Sequence, residues 1–193
     1  MTGPLTLTNT SARTRVGCKG PAAESWLAQL GIPVPRGANR YEVDSRGLLA
    51  ARLATSEFLF ESTLADAASA LAPAKHALDL ADMPLGVYPV LRQDFVIEIR
   101  GENANELFSQ TCAVDLMPVQ RESSATAGPV IMTSMIGVGV VLTCRSAGDG
   151  PSFTVWSDPS YSHYFWNQLL AIATELGGGA APVSPIRSGG IVP

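Results

Sequence analysis

Charge is scarce in this chain: Asp, Glu, Lys and Arg make up 16% of its 193 residues, with a formal net charge of −4. No cluster of Lys or Arg and no basic amphipathic helix is visible, so a nucleic-acid backbone would find no electrostatic footprint. Histidine is scarcer still. His76 and His163 stand alone, with no second ligand at helical or finger spacing, and a metal site is not expected. Cys18, Cys112 and Cys144 are odd in number, form no CxxC pair and sit in apolar patterns, which reads as buried reduced thiols. Long apolar runs are missing too. The most apolar, Ile136 to Leu142, is far too short to cross a bilayer, and the N-terminus lacks the apolar core of a signal peptide. A cytoplasmic protein without a membrane segment is the expectation.

What is present is apolar, at 46% hydrophobic residues and a mean hydropathy of +0.18. That excess fits either a well-filled core or a surface covered by a partner. The most informative stretch runs from Phe95 to Leu116, FVIEIRGENANELFSQTCAVDL. Phe95, Ile97 and Ile99 alternate, Gly101 interrupts, and Ala104, Leu107, Phe108 and Cys112 then fall on one helical face: a strand, a tight turn and a helix. A fainter copy runs from Val16 to Ile32. At an offset of eighty-one positions Gly20 meets Gly101, Ala23 meets Ala104, Trp26 and Leu27 meet Leu107 and Phe108, and Gln29 meets Gln110. The pattern predicts two related halves. A unit of roughly eighty residues is near the lower limit for burying its own core, so one domain of two packed halves is favoured over two domains.

In order, residues 1–12 are polar and without period and read as an N-terminal arm. A strand over Arg13–Cys18 leads to a helix carrying Ala23, Trp26, Leu27 and Leu30 and ended by Gly31. Pro33 to Gly47 reads as a loop with at most one short strand. LLAARLA and EFLFES form a hairpin joined at Thr55–Ser56. Thr63 and Asp66 signal a helix with Leu64, Ala67, Ala68 and Leu71 on its apolar face, ending before Pro73. The connection Lys75–Arg92 is too apolar for a solvated linker, with Leu78, Leu80, Met83, Leu85, Val87, Tyr88 and Val90. It either crosses the junction of the halves or lies under another chain.

The second half repeats the order. Strand and helix occupy 94–112, a loop covers Val119–Pro129, and PVIMTSMIG, VGVVLTCR and SFTVW supply strands. Asp158 and Pro159 form an N-cap and first-turn pair for a helix from Ser160 to Leu176, with Phe165, Leu169, Ile172 and Leu176 inside and Tyr161 and Trp166 broadening the stripe. The tail from Gly177 reads as flexible by composition.

No constellation of residues carries chemistry. Gly137 and Gly139 resemble the start of a dinucleotide fingerprint, but Leu142 occupies the third glycine position and the run reads as a strand. Asp158, Ser162 and His163 are neighbours at one helix start and cannot form a catalytic relay, and helix capping explains Asp158 better. Asp79, Asp82, Asp94 and Asp115 are scattered and give no acid–base pair. Trp26, Trp156, Trp166, Tyr161 and Tyr164 would suit a planar ligand or an interface, but the three tryptophans also fit core positions. No catalytic, cofactor-binding or metal-ligating residue is assigned.

Four pieces, RVGCKGPAAESWL, RGLLAARLATSEFLFES, VIEIRGENANELFSQTCAVDL and FTVWSDPSYSHYFWNQL, together resemble the gamma subunits of heterotetrameric sarcosine oxidases over about residues 13–176. Those subunits resemble in turn the folate-binding domain of glycine-cleavage aminomethyltransferases. The resemblance implies an α+β domain over 13–176, built of two pseudo-symmetric strand-helix-strand-strand-helix halves, between an arm at 1–12 and a tail at 177–193. It further implies a non-catalytic gamma subunit without a cofactor of its own. Alpha, beta and delta subunits would be its partners; they would hold FAD, FMN, NAD and tetrahydrofolate and oxidise an N-methyl amino acid. The sequence departs from the catalytic relatives at one place. Where an aminomethyltransferase carries a carboxylate pair after the glycine of the first hairpin, Ala50 and Ala51 stand here, and no Asp occurs between Asp44 and Asp66. One-carbon transfer would lack its electrostatic partner for the developing cation. The alternative is a stand-alone folate-binding or one-carbon-transfer protein of the same fold.

Overall fold

The strand LLAARLA, Leu48 to Ala54, is buried at every position but the last, which requires apolar matter on both of its faces. Leu48 and Ala50 point to a helix-covered side with Phe58, Phe60, Trp26, Leu27 and Leu71. Leu49, Ala51 and Leu53 point the other way, onto Leu59, Tyr41, Val96, Val130 and Trp156. A sheet covered by helices outside and folded against itself inside meets both demands.

The computed structural model describes residues 4–63, 65–79, 82–147 and 150–181. Its strands are β1 Thr6–Asn9, β2 Arg15–Lys19, β3 Arg40–Val43, β4 Leu48–Ala54, β5 Glu57–Ser62, β6 Tyr88–Val90, β7 Phe95–Arg100, β8 Ala127–Met135, β9 Val138–Ala147, β10 Gly150–Ser157 and β11 Gly179–Ala180. Its helices are α1 Ala23–Gln29, α2 Ala65–Asp79, α3 Ala104–Thr111, α4 Met117–Glu122 and α5 Ser162–Glu175. This is a mixed α+β architecture on one curled eleven-stranded sheet, in the order β11-β1-β7-β10-β9-β8-β3-β4-β5-β2-β6. Strand β8 joins the two parts of the sheet. Ala127 to Pro129 pair with β3, and Val130 to Met135 pair with β9.

Gly20 and Gly101, the glycines that opened the sequence comparison, take φ of +125° and +130°, a conformation costly for any residue with a Cβ. A passing segment lies on each, just ahead of β6 and β1. A methyl on Gly20 would come 2.2 Å from the Gly86 carbonyl oxygen, and one on Gly101 would come 2.6 Å from the Leu5 Cα. Two residues after each glycine a backbone N–H donates to the passing segment, Ala22 to Gly86 at 3.1 Å and Asn103 to Pro4 at 2.8 Å. The same turn thus starts α1 and α3, and β6 and β1 run past them antiparallel to β2 and β7.

Several expectations are corrected. Residues 1–12 are not wholly an arm, because β1 lies between β7 and β11 with Leu5 and Leu7 buried. Alternation over only four residues is too short a signal to read. Helix α2 does not stop before Pro73; it runs through it to Asp79, held by Leu71 and Ala74, both fully buried. The packing of those residues outweighs the one backbone bond that proline removes. The connection between the halves is shorter than expected for that reason, and Val87 and Met83 pack on the first half. The expected loop from Val119 holds the end of α4, with Pro118 in its first turn. The tail is not free from its start, since β11 pairs in parallel with β1; residues 182–193 lie outside the described set. Leu64 and Leu80 lie outside it as well. The β4–β5 hairpin, the Gly31 helix end and the Asp158 cap stand as expected.

Gly101→Ala is expected to cost about 3 kcal/mol or more of folding stability, because it adds both backbone strain and a clash with the Leu5 backbone. Gly139→Ala in β9, where an added methyl meets nothing within 4 Å, should cost under about 1 kcal/mol. Urea denaturation of the two variants makes the comparison.

Candidate functional site

The inner face of the sheet is apolar around Trp156 and turns ionic toward β2 and β7. Arg15 on β2 lies opposite Glu61 on β5, and its Nη1 donates to Glu61 Oε2 at 3.2 Å. Arg13, in the turn before β2, sends one nitrogen to Glu61 Oε1 at 3.2 Å and the other to Glu98 Oε2 on β7 at 2.8 Å. One guanidinium therefore links the first and second parts of the chain. The Trp156 indole N–H on β10 makes a second link, donating to Glu61 Oε2 at 2.7 Å. Glu98 is completed by the Ser152 hydroxyl at 2.8 Å, by Arg100 Nε at 2.8 Å and by Arg145 at 3.8 Å. The Glu61 and Glu98 side chains are only 1% and 5% exposed.

Burial by itself would raise the Glu98 pKa, but the Arg100 hydrogen bond and the charges of Arg13 and Arg100 outweigh it and hold the carboxyl at about 2. A carboxylate held that low is not a general base at neutral pH. Glu61 is occupied by two guanidinium groups and an indole. The cluster neutralises charge in a buried seam, and among the described residues no group of His, Cys, Asp and Glu could hold a metal ion.

Beside the seam two hollows share Arg15, Lys75, Arg92 and Gln93. One, of about 490 Å³, is bordered by Arg13, Asp94, Pro159 and Ser162; the other, of about 520 Å³, is bordered by Val16, Leu78, Val90 and Leu91. Asp94 sits 3.9 Å from the Arg15 Nε and 3.9 Å from the Arg92 Nη1, too far for a direct hydrogen bond to either.

The residues weighed from the sequence are dispersed. His76 and His163 are exposed on α2 and α5, and the His163 ring lies 3.3 Å from the Asn167 side-chain amide. Asp158 accepts from the Ser160 N–H at 2.8 Å, which is a cap. Gly137 forms the β8–β9 turn with Ile136, and Gly139 lies within β9, so that run is a hairpin. Asp115 accepts from the Met117 N–H at the start of α4, and Asp82 is exposed; the Asp79 side chain is outside the described set. Trp26 and Trp156 are core, Trp166 packs edge-on to Phe95 at 6.4 Å, and Tyr161 and Tyr164 are about half exposed, at 49% and 48%. All three cysteines are free and buried; burial pushes the Cys18 thiol up to about 12 and the Cys144 thiol up to about 11.

Ala50 and Ala51 are each 1% exposed, the first in the helix-side core and the second in the inter-sheet core. Neither position offers a charge or a lone pair to a pterin or a developing cation. These residues do not fit a folate-handling carboxylate site. The seam of Arg13, Arg15, Glu61 and Glu98 escaped the sequence reading, though it left a signal: EFLFES and FVIEIR each place a Glu inside an apolar strand.

No family model matches the chain, and no curated protein sequence matches it. Solved structures do share its fold. A chain of the heterotetrameric sarcosine oxidase from Corynebacterium sp. U-96, solved in complex with pyrrole 2-carboxylate, superposes with a TM-score of 0.66 at 22% identity, over 93% of this chain and 88% of that one. The glycine cleavage system aminomethyltransferase T from Bartonella henselae superposes with a TM-score of 0.62 at 14% identity over 93% of this chain, which spans about half (48%) of the aminomethyltransferase. The sarcosine-oxidase-like fold expected from the sequence is the fold observed.

The low Glu98 value sets a pH dependence. The carboxyl titrates below its unfolded value of 4.5, so its stabilising contribution is complete above about pH 5 and is lost as pH falls through about 2. Wild-type stability should decline over that window by of the order of 3 kcal/mol from this group, and Glu98→Gln should flatten the decline while lowering stability at pH 7. Denaturant titrations at a series of pH values measure both slopes.

Proposed function

We propose that this chain is a non-catalytic structural subunit, of the gamma kind, in a flavin-dependent heterotetrameric sarcosine or N-methyl amino acid oxidase. In this reading alpha, beta and delta subunits hold FAD, FMN, NAD and tetrahydrofolate, and the complex works in cytoplasmic sarcosine catabolism. The substrate is then demethylated on another chain, and the methyl carbon passes to tetrahydrofolate there. This chain contributes a folded module of two pseudo-twofold-related halves, whose matching turns at Gly20 and Gly101 and mirrored strand order fit duplication of one unit.

The observation that carries the proposal is the state of β4. A stand-alone one-carbon transferase needs a carboxylate near the reacting carbon. Here the corresponding strand presents Ala50 and Ala51, sealed in two cores, and the nearby carboxylates Glu61 and Glu98 are committed to arginines. The near-complete overlap with a chain of a sarcosine oxidase, against half of an aminomethyltransferase, supports the same reading.

Titration of the purified chain with tetrahydrofolate, followed by tryptophan fluorescence, is expected to show no saturable change. Saturable binding by the lone chain would favour the folate-binding alternative. Co-expression with the alpha, beta and delta subunits of a heterotetrameric sarcosine oxidase is expected to yield a stable complex carrying flavin.

A further inference from the structure

Among the described residues the large apolar side chains most open to water are Leu85, 97% exposed, and Leu91, 79% exposed, with Tyr88 between them at 53%. All three belong to one short segment around β6, the last strand of the sheet on its side. Three such side chains within seven residues concentrate exposed apolar surface on one edge segment, whereas scattered ones would need no explanation.

The segment borders the hollow of about 520 Å³ beneath it, floored by Val16, Leu78 and Val90. Its position is fixed by Gly17 on β2. A methyl there would come within 2.7 Å of both the Val90 carbonyl oxygen and the Arg92 side chain, so only glycine lets β6 lie this close. Every charged side chain lining the hollow is cationic, Arg15, Lys75 and Arg92, in a chain whose net charge is −4. Arg15 and Arg92 already bond Glu61 and Glu57. Their Nε atoms are buried, and Asp94 stands 3.9 Å from the Arg15 Nε and 3.9 Å from the Arg92 Nη1. The lining carries no carboxylate, so its sign favours an anionic neighbour over a cationic one.

We propose that this patch and hollow form the docking surface for a partner subunit, which presents an apolar anchor flanked by carboxylates. The inference rests on the subunit reading above and says where and by what chemistry the subunit is held. Leu85 and Tyr88 do not line the hollow, so a small carboxylic acid seated in it would leave them in water; a polypeptide surface covers all three. Pro89, at the centre of β6, has no N–H to give a further strand, so the partner engages side chains instead of extending the sheet. Apolar anchors set the affinity of such a contact, and the cationic wall sets its orientation and salt dependence.

The test is co-purification of the chain with co-expressed alpha, beta and delta subunits of a heterotetrameric sarcosine oxidase, comparing wild type, the double variant Leu85→Asp/Leu91→Asp and Met132→Asp. Met132 is 55% exposed on β8 and serves as a control outside the patch. All three substituted positions are in water, and unchanged thermal unfolding verifies that each variant folds. Wild type and Met132→Asp are expected to retain the partner, the double variant to lose about tenfold or more in retention, and amide exchange over 85–93 to slow in the wild-type complex. If the double variant assembles as wild type and 85–93 exchanges as in the lone chain, the docking surface is overturned while the subunit reading stands. If wild type itself retains no flavoprotein, the subunit reading falls and takes the surface with it. If excess benzoate alone slows exchange over 85–93 as strongly as the partner does, the hollow belongs to a small carboxylate and the proposal is overturned.

Discussion

Arg13 holds two glutamates that belong to different parts of the chain, Glu61 on β5 and Glu98 on β7, and much of the interior depends on that bridge. Two carboxylates this deeply buried are tolerable only if every charge finds a partner, since an isolated buried ion costs several kcal/mol. Arg15 and the Trp156 indole complete Glu61, and Arg100, Arg145 and Ser152 complete Glu98. Such a network adds little net stability over an apolar filling, but losing one member leaves a naked charge and costs about 3–5 kcal/mol. Its effect is to fix one arrangement of the two parts, because each carboxylate is satisfied only when the other part is in place.

That arrangement leaves the inner face with little room for chemistry. The apolar end of the seam is filled by Tyr41, Leu49, Ala51, Leu53, Leu59 and Trp156, and the Tyr41 hydroxyl bonds backbone carbonyls of Cys144 and Ser124 across the sheet. The charged end is consumed by its own ion pairs. Among the described residues the large apolar side chains most open to water lie in the β6 segment. A sheet with a committed interior and an open apolar edge is what the proposed subunit role requires.

The sequence made the local features legible where they rest on local chemistry. Gly20 and Gly101 announced turns that only glycine can make, Asp158 announced a cap, and the alternation of LLAARLA and EFLFES announced the hairpin. It was silent where the cause is distant. Strands β1 and β11 exist because each lies against another strand, and neither is long enough to show a period. Helix α2 passes Pro73 because Leu71 and Ala74 are packed on the sheet, a fact the proline alone argues against. The ionic seam was half visible, in the two glutamates set inside apolar strands. Arg100 lies two residues from Glu98, but Arg13 and Arg15 lie 46 to 85 residues from the glutamates they hold, and no local pattern pairs those.

The most direct test of this account is differential scanning calorimetry of the isolated chain at neutral pH. If the buried seam makes the two parts one unit, unfolding is a single transition whose calorimetric and van't Hoff enthalpies agree, and Arg13→Ala lowers its midpoint without splitting it. Two resolved transitions in the wild-type chain, one for each part, would contradict the account.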